Sequence, residues 1–216
     1  MRERDVVAVI PARGNSKRLP GKNLKKLANK PLLYWSVDCA KAAGIKRILV
    51  STEDAAIKQH AIDAGCEVHD RRRELADDYV SATTVILDAI SEQKASRFVV
   101  LLPTWPFRLS RHVLGMVDFS PAGTPYDRLV TVSRLRAADE CRLHLNTASG
   151  RPSSHSAWVV DSYVSVLTAK ELTTPGGDFP VEFHGRGEAQ HLDIDTPAQF
   201  AMAEWFAADD RRWRAD

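Results

Sequence analysis

Ala8-Val-Ile-Pro-Ala-Arg-Gly-Asn-Ser-Lys-Arg-Leu-Pro-Gly-Lys-Asn23 joins an apolar run to a loop rich in glycine, proline and cations. Val6 to Ile10 is short, β-branched and apolar without alternation, the pattern of a strand buried on both faces of a parallel sheet. A helical pattern opens at Pro31, where Leu32, Trp35, Cys39 and Ala42 share a face until Gly44 stops it. A strand that runs into a cationic glycine loop is a place to hold an anion. Glycine lets backbone N–H groups approach oxygen closely. Arg13, Lys17, Arg18 and Lys22 add charge.

Outward from this stretch, strand and helix patterns alternate. Arg47 to Ser51 reads as a strand, Ser51 to Asp54 as helix N-cap chemistry, and Ile57, Ala61 and Ala64 as one helix face ending at Gly65. Cys66 to His69 is a short strand, Asp70 to Asp78 a charged loop, and Ser81 to Ser91 a helix. Phe98 to Leu102 is the clearest strand, closed by the prolines of Pro103-Thr-Trp-Pro-Phe-Arg108. A helix near Arg111 to Phe119 and strands at Leu129 to Val132 and Ala157 to Val160 follow, with a turn at Thr173 to Asp178. Gln190 to Ile194 reads as a last short strand, and Pro197 opens a closing helix to about Ala207. The tail Arg211 to Arg214 reads as a solvated end.

This alternation predicts a three-layer α/β/α fold with a mostly parallel, Rossmann-like sheet and ligands at the carboxyl ends of the strands. The loops 11–23, 51–54 and 103–108 all follow strands and are expected on one edge of the sheet. Residues 1–216 are expected to form a single domain, with 133–156 as a loop or small lobe over the site.

At 216 residues, 44% of them apolar, the chain suits one sizeable core. A net charge of +2, from 30 basic and 28 acidic residues, gives no ground for a nucleic-acid partner. Cys39, Cys66 and Cys141 are widely spaced and show no zinc pattern, as expected of thiols in a reducing compartment. The first apolar run is too short for a leader or a membrane span, so a cytoplasmic protein without a membrane partner is expected.

Two motifs carry chemistry. The opening loop is not a Walker sequence: six residues separate Gly14 from Gly21, and Asn23 stands where a metal-binding hydroxyl belongs. Its cations and glycines directly after the first strand still favour an anion site over a solvated basic loop. In Asp193-Ile-Asp195, extended geometry would turn both carboxylates to one side, as a hard cation such as Mg2+ requires. The alternative is that Asp195 caps the helix beginning at Pro197. Arg71-Arg-Arg73 reads equally as a solvated run, and Ser81, Thr83 and Thr84 as helix caps. His155 has no partner recognisable in the sequence.

Taken together, these segments resemble the acylneuraminate cytidylyltransferases, which make CMP-sialic acids. Val9 to Asn23 resembles their signature loop, Asn29-Lys-Pro-Leu-Leu33 a Gly-Lys-Pro-Leu segment, and Leu49-Val-Ser-Thr-Glu-Asp54 a Val-Ser-Thr-Asp-Asp strand end. Arg71 with Glu74-Leu-Ala76 resembles an Arg-Pro-x-Glu-Leu-Ala loop, Leu101 to Arg108 a Leu-Gln-Pro-Thr-Ser-Pro-Leu-Arg segment, and Leu192 to Pro197 the metal-binding Asp-x-Asp. The resemblance implies a nucleotidyltransferase that passes CMP from CTP to a sugar hydroxyl and releases pyrophosphate. It places Ala12, Arg13, Gly14, Lys22, Asn23, Arg71 and Ser81 on the nucleotide, with Lys22, Arg13 and Asp195 catalytic and Asp193 and Asp195 on Mg2+. The expected partners are CTP and a small acidic acceptor, with a possible homodimer as in the family.

The acceptor half departs from the pattern. Leu102 replaces a glutamine, Trp105 a serine, and Ser153 to Val159 an Arg-x-Asn-Gly-Ala-Ile-Tyr segment, and the region before Ala157 is shortened. Thr104, Arg108, Arg134 and His155 are the acceptor-side candidates, with Arg136 and Arg151 as further partners for a carboxylate. A nonulosonic sugar acid is the expected acceptor. 3-Deoxy-manno-octulosonate, a phosphonate, a non-catalytic nucleotide-binding role and glycosyl transfer are the alternatives.

Overall fold

The computed structural model describes residues 5–119, 128–134, 158–168, 178–181 and 188–209. Within them the sheet strands are β1 (Val6–Pro11), β4 (Arg47–Thr52), β5 (Glu67–Asp70), β6 (Arg97–Val100), β7 (Arg128–Arg134), β8 (Trp158–Thr168) and β9 (Asp178–Val181). A small hairpin supplies β2 (Lys26–Leu27) and β3 (Lys30–Pro31). The helices are α1 (Leu32–Ala42), α2 (Ala55–Asp63), α3 (Ala82–Ile90), α4 (Ser110–Phe119) and α5 (Pro197–Ala207).

The sheet order is β5-β4-β1-β6-β8-β7-β9. β5, β4, β1 and β6 are mutually parallel, β8 runs against both β6 and β7, and β9 is parallel to β7. β1 lies between β4 and β6, and Val6 to Ile10 are buried throughout, as their unbroken apolar run requires. Successive side chains of β1 point to opposite faces. Val6, Ala8 and Ile10 pack with Leu33, Val37 and Ala40 of α1, Ile57 of α2, and Val113 and Met116 of α4. Val7 and Val9 pack with Leu49, Phe98, and Ala89 and Ile90 of α3. Helices on both faces of the sheet make the three layers. Burying each of the larger side chains among them, valine, leucine, isoleucine, methionine or phenylalanine, contributes about 1.5–3 kcal/mol.

A second apolar cluster joins Leu19, Leu27, Trp35 and Phe107 to Ile194 and Phe200. It fastens the opening loop to α5 and the segment before it. α5 begins with a capping box: the Thr196 side chain accepts from the Gln199 backbone, and the Gln199 side chain accepts from the Thr196 N–H at 2.9 Å.

Several expected elements differ. β8 is longer than the strand expected at Ala157 to Val160, and the sequence reading assigned no strand at β9. Gln190 to Ile194 is not a strand: a 3-10 turn covers Glu188–His191, and the extended residues after it join no sheet. Ile194 instead donates its N–H to the Thr104 carbonyl at 2.8 Å. Ala42, the last residue of α1, is exposed, and the buried face of the helix also takes in Leu33, Ser36, Val37 and Ala40. The expected lobe at 133–156 lies outside the described residues beyond Arg134, as do the turn residues 173–177 and the tail 211–214.

Candidate active site

Parallel strands in register carry their following loops to one edge, and adjacency in the order β4-β1-β6 brings three loops together. They surround a cleft of about 290 Å³ whose lining includes Arg13, Lys22, Asn23, Arg71, Asp78 and Thr104, with Ser16, Leu75, Val80 and Leu102 among its other walls.

Lys22 enters from a 3-10 turn, Lys22–Leu24, that follows Gly21 at φ +64°. This left-handed conformation is one that glycine adopts freely. The lysine is buried, and its Nζ donates to the Ile194 carbonyl at 3.0 Å and to Asp195 Oδ1 at 2.7 Å. Arg18 Nη2 donates to the other oxygen, Oδ2, at 2.7 Å. Burial works against a charged Asp195, but Lys22 and Arg18 outweigh it and hold its pKa below the ordinary value. Asp193 is shifted the other way. Burial raises its pKa, the Thr104 side chain opposes this by hydrogen bonding, and the Asp195 charge adds to the rise.

Asp193 Oδ1 is buried and has no hydrogen-bond partner, which is unusual for a buried carboxylate oxygen. A hard cation would supply the missing partner. Asp195 caps nothing, since Thr196 caps α5, so the capping alternative for this residue fails. No group of three or more potential protein ligands occurs among the described residues. Asp193 and, once freed from Lys22 or Arg18, Asp195 would supply two oxygen ligands to Mg2+, a cation that keeps several waters.

Arg13 and Lys17 both pair with Asp78, Arg13 at 2.6 Å. The Lys17 hydrogen bond, then that of Arg13, pulls the Asp78 pKa down, and Asp78 raises that of Lys17. Asn23 Nδ2 donates to the Arg13 carbonyl at 2.8 Å and so shapes the loop. Arg71 is buried, not part of a solvated run. Its guanidinium donates to the Ser51 carbonyl at 2.6 Å and lies 3.6 Å from Glu53. Burial lowers its pKa, and Glu53 opposes the shift.

Four expected contacts are placed differently. The Ala12 N–H is taken by the Ser51 carbonyl at 2.9 Å, and its side chain lies in the core. The Gly14 N–H is taken by Glu53 Oε1 at 2.7 Å. Glycine is required there for space, because a Cβ would come within 2.5 Å of Asp54 Oδ2. Ser81 is exposed and caps α3, accepting from Thr84 N at 3.1 Å, while its neighbours Val80 and Ala82 line the cleft. Arg108 is buried outside the cleft lining. It donates to the Leu102 carbonyl at 3.0 Å and to Ser36 at 3.3 Å, so it braces the cleft wall from behind. Thr104 lines the cleft beside Asp193. Arg134 ends β7, while Arg136, Arg151 and His155 lie outside the described residues.

Glu53 is the organising residue that sequence reasoning missed. It ties the opening loop, through Gly14, to Arg71. Its signal was an acid directly beyond the β4 strand end, read as part of a helix cap and of a family-like strand end, with no role of its own assigned.

The chain is similar to several characterised proteins. It is 38% identical to the CMP-N,N'-diacetyllegionaminic acid synthase of Legionella pneumophila over 92% of this chain and 94% of that protein. It is 32% identical to the N-acylneuraminate cytidylyltransferase of Streptococcus agalactiae over 52% of this chain, a match that spans only 28% of that relative's length. The fold is similar to that of a CMP:2-keto-3-deoxy-manno-octonic acid synthetase solved with CTP, at a TM-score of 0.73 and 19% identity, over 95% of this chain and 99% of that one. No helix among the described residues is long and apolar enough to cross a membrane. The cytidylyltransferase family profile matches residues 7–119, and with the near full-length likeness to the Legionella protein it establishes that this chain belongs to the cytidylyltransferase family.

Proposed function

We propose that this protein transfers CMP from CTP to a hydroxyl of a carboxylated nonulosonic sugar acid and releases pyrophosphate, with Mg2+ held by Asp193 and Asp195. The observation that carries the reading is the pairing of Lys22 with Asp195, 173 positions apart, beside the unpartnered oxygen of Asp193. A cationic loop and a carboxylate pair at one cleft suit a triphosphate better than a neutral ligand. Family membership supports CTP as the nucleotide, and the likeness to the Legionella synthase supports the acceptor class.

In this reading the acceptor hydroxyl attacks the α-phosphorus, forming one P–O bond as the bond to pyrophosphate breaks. Arg13 and Lys22 hold the triphosphate and offset charge growing on the leaving group. Arg71 lines the nucleoside end, and Asn23 fixes the loop that carries Arg13. Thr104 orients Asp193. When bound, Mg2+ would neutralise phosphate charge and lower the cost of ionising the acceptor hydroxyl. Binding both substrates in one cleft supplies much of the rate, since in-line transfer depends on positioning.

The test is pyrophosphate release from CTP and Mg2+ with a panel of nonulosonic acids, 3-deoxy-manno-octulosonate and a phosphonate. Release with a nonulosonic acid is expected, and Lys22→Ala should lower kcat by about a hundredfold or more while leaving the fold intact. CTP binding without release for any acceptor would instead indicate a nucleotide-binding protein. Tighter binding of a nucleotide sugar than of CTP would indicate glycosyl transfer.

A further inference from the structure

Behind Arg71 lies a line of side chains that the reaction just described does not use. Ser51 on β4 and His69 on β5 are register partners, and Ser51 Oγ lies 3.0 Å from His69 Nδ1. His69 Nε2 lies 3.4 Å from Asp88 Oδ2 on α3, and Asp88 Oδ1 accepts from Arg72 Nη2 at 2.7 Å. At the other end, Arg71 Nε donates to Ser51 Oγ at 3.2 Å, and Arg71 Nη2 donates to the Ser51 carbonyl at 2.6 Å. The order Asp88, His69, Ser51 has the look of a hydrolytic triad. Ser51 is fully buried, however, and its hydroxyl is capped by Arg71, so no substrate carbonyl or phosphate reaches it.

A count of hydrogens gives the line a direction. A guanidinium only donates, so Ser51 Oγ accepts from Arg71. Ser51 keeps its own hydroxyl hydrogen to donate, and Asp88, a carboxylate that only accepts, favours the His69 tautomer with its hydrogen on Nε2 and an accepting Nδ1. An imidazole that accepts at Nδ1 carries its hydrogen on Nε2, the nitrogen facing Asp88. Asp88 therefore selects the tautomer, the tautomer orients the serine hydroxyl, and the hydroxyl lone pairs orient Arg71.

We propose that Asp88, His69 and Ser51 form a positioning relay that fixes the Arg71 guanidinium for the nucleotide in the cleft. This rests on the CTP-binding reading above. A long arginine chain has many rotamers, and holding one before the ligand arrives lowers the ordering cost of binding. The relay thus acts on nucleotide affinity and leaves the transfer step alone.

The test compares native protein with His69→Leu, His69→Asn, Ser51→Ala and the Ser51→Ala/His69→Leu pair. CTP affinity is measured by calorimetry, and KM and kcat by pyrophosphate release. Leucine removes the acceptor, so H69L should raise the Kd and KM for CTP about tenfold with kcat within about twofold of native. Asparagine places a carbonyl near the Nδ1 position and should restore affinity to within about threefold. H69L should add nothing to S51A, since both act through one hydroxyl. If H69L does not fold, H69Q replaces it, because its carbonyl reaches the Nε2 position and leaves Ser51 without an acceptor. Native-like CTP affinity in H69L or H69Q, no recovery in H69N, or additive losses in the pair would each overturn the relay while leaving the transferase reading intact. Failure of the native chain to bind CTP would overturn both.

Discussion

Two carboxylates hold all four cations of the opening loop: Asp78 takes Arg13 and Lys17, and Asp195 takes Lys22 and Arg18. In the proposed reading a triphosphate would displace at least the first pair, and Asp78 would then compete with substrate. Exposed pairs are weak, and Asp78→Asn is expected to lower KM for CTP by about two- to fivefold, an effect that shrinks in high salt. An unchanged KM would show that Asp78 does not compete with substrate, and a higher KM that it assists nucleotide binding. At this scale residue type and position after the first strand marked Arg13 and Lys22, spacing marked Asp193, and the family resemblance marked Arg71. It did not show that the Gly14 and Ala12 amides are already bonded, or that Arg108 braces the cleft wall from behind. Those facts depend on neighbours distant in the chain, Glu53, Ser51 and Leu102.

Among the elements, β5 is held at the edge of the sheet by Arg47, whose Nε and Nη2 reach Glu67 at 2.9 and 3.0 Å. The hydrogen bond from Arg47 lowers the Glu67 pKa below its ordinary 4.5. A depressed carboxylate stabilises the fold above its unfolded pKa and loses that contribution as pH falls through the folded value. Glu67→Gln should therefore cost about 0.5 kcal/mol near neutral pH, because the pair is half-exposed. The difference should fade below about pH 4 in urea titrations. Equal stability at both pH values would remove the pair from the account.

The β2–β3 hairpin turns through Ala28 and Asn29 at φ +50° and +64°. Alanine is strained there, so Ala28→Gly should raise stability by about 0.5–1 kcal/mol in the same assay, and a loss would show that the turn is relaxed as it stands. Short apolar strands and capped helices were legible because their signals are local. The end of the chain was misread because Leu192, Ile194 and their neighbours carry a strand-like pattern. Their partners are the Thr104 carbonyl and an apolar cluster in place of a neighbouring strand.

Across the whole molecule, the site is assembled by the packing between the opening loop and α5. Phe107 stands at the centre of that contact, edge-on to Trp35 at 5.4 Å and to Phe206 at 5.8 Å, and is almost fully buried. Phe107→Ala should cost about 3–5 kcal/mol in denaturant unfolding. It should also weaken turnover, since the same cluster holds Ile194 between Asp193 and Asp195. A cost under about 1 kcal/mol would mean that this segment is anchored elsewhere.

The sequence by itself determined the alternating strands and helices, the cationic loop after β1 and the carboxylate pair before the last helix, because periodicity and residue chemistry are written locally. Only the tertiary structure decided that Lys22 meets Asp195, that Asp193 keeps a buried oxygen without a partner, and that Arg71 rests on Ser51, which in turn meets His69. The order of parallel strands and the packing of α5 bring these residues together, and both are set by burial of side chains far apart in the chain.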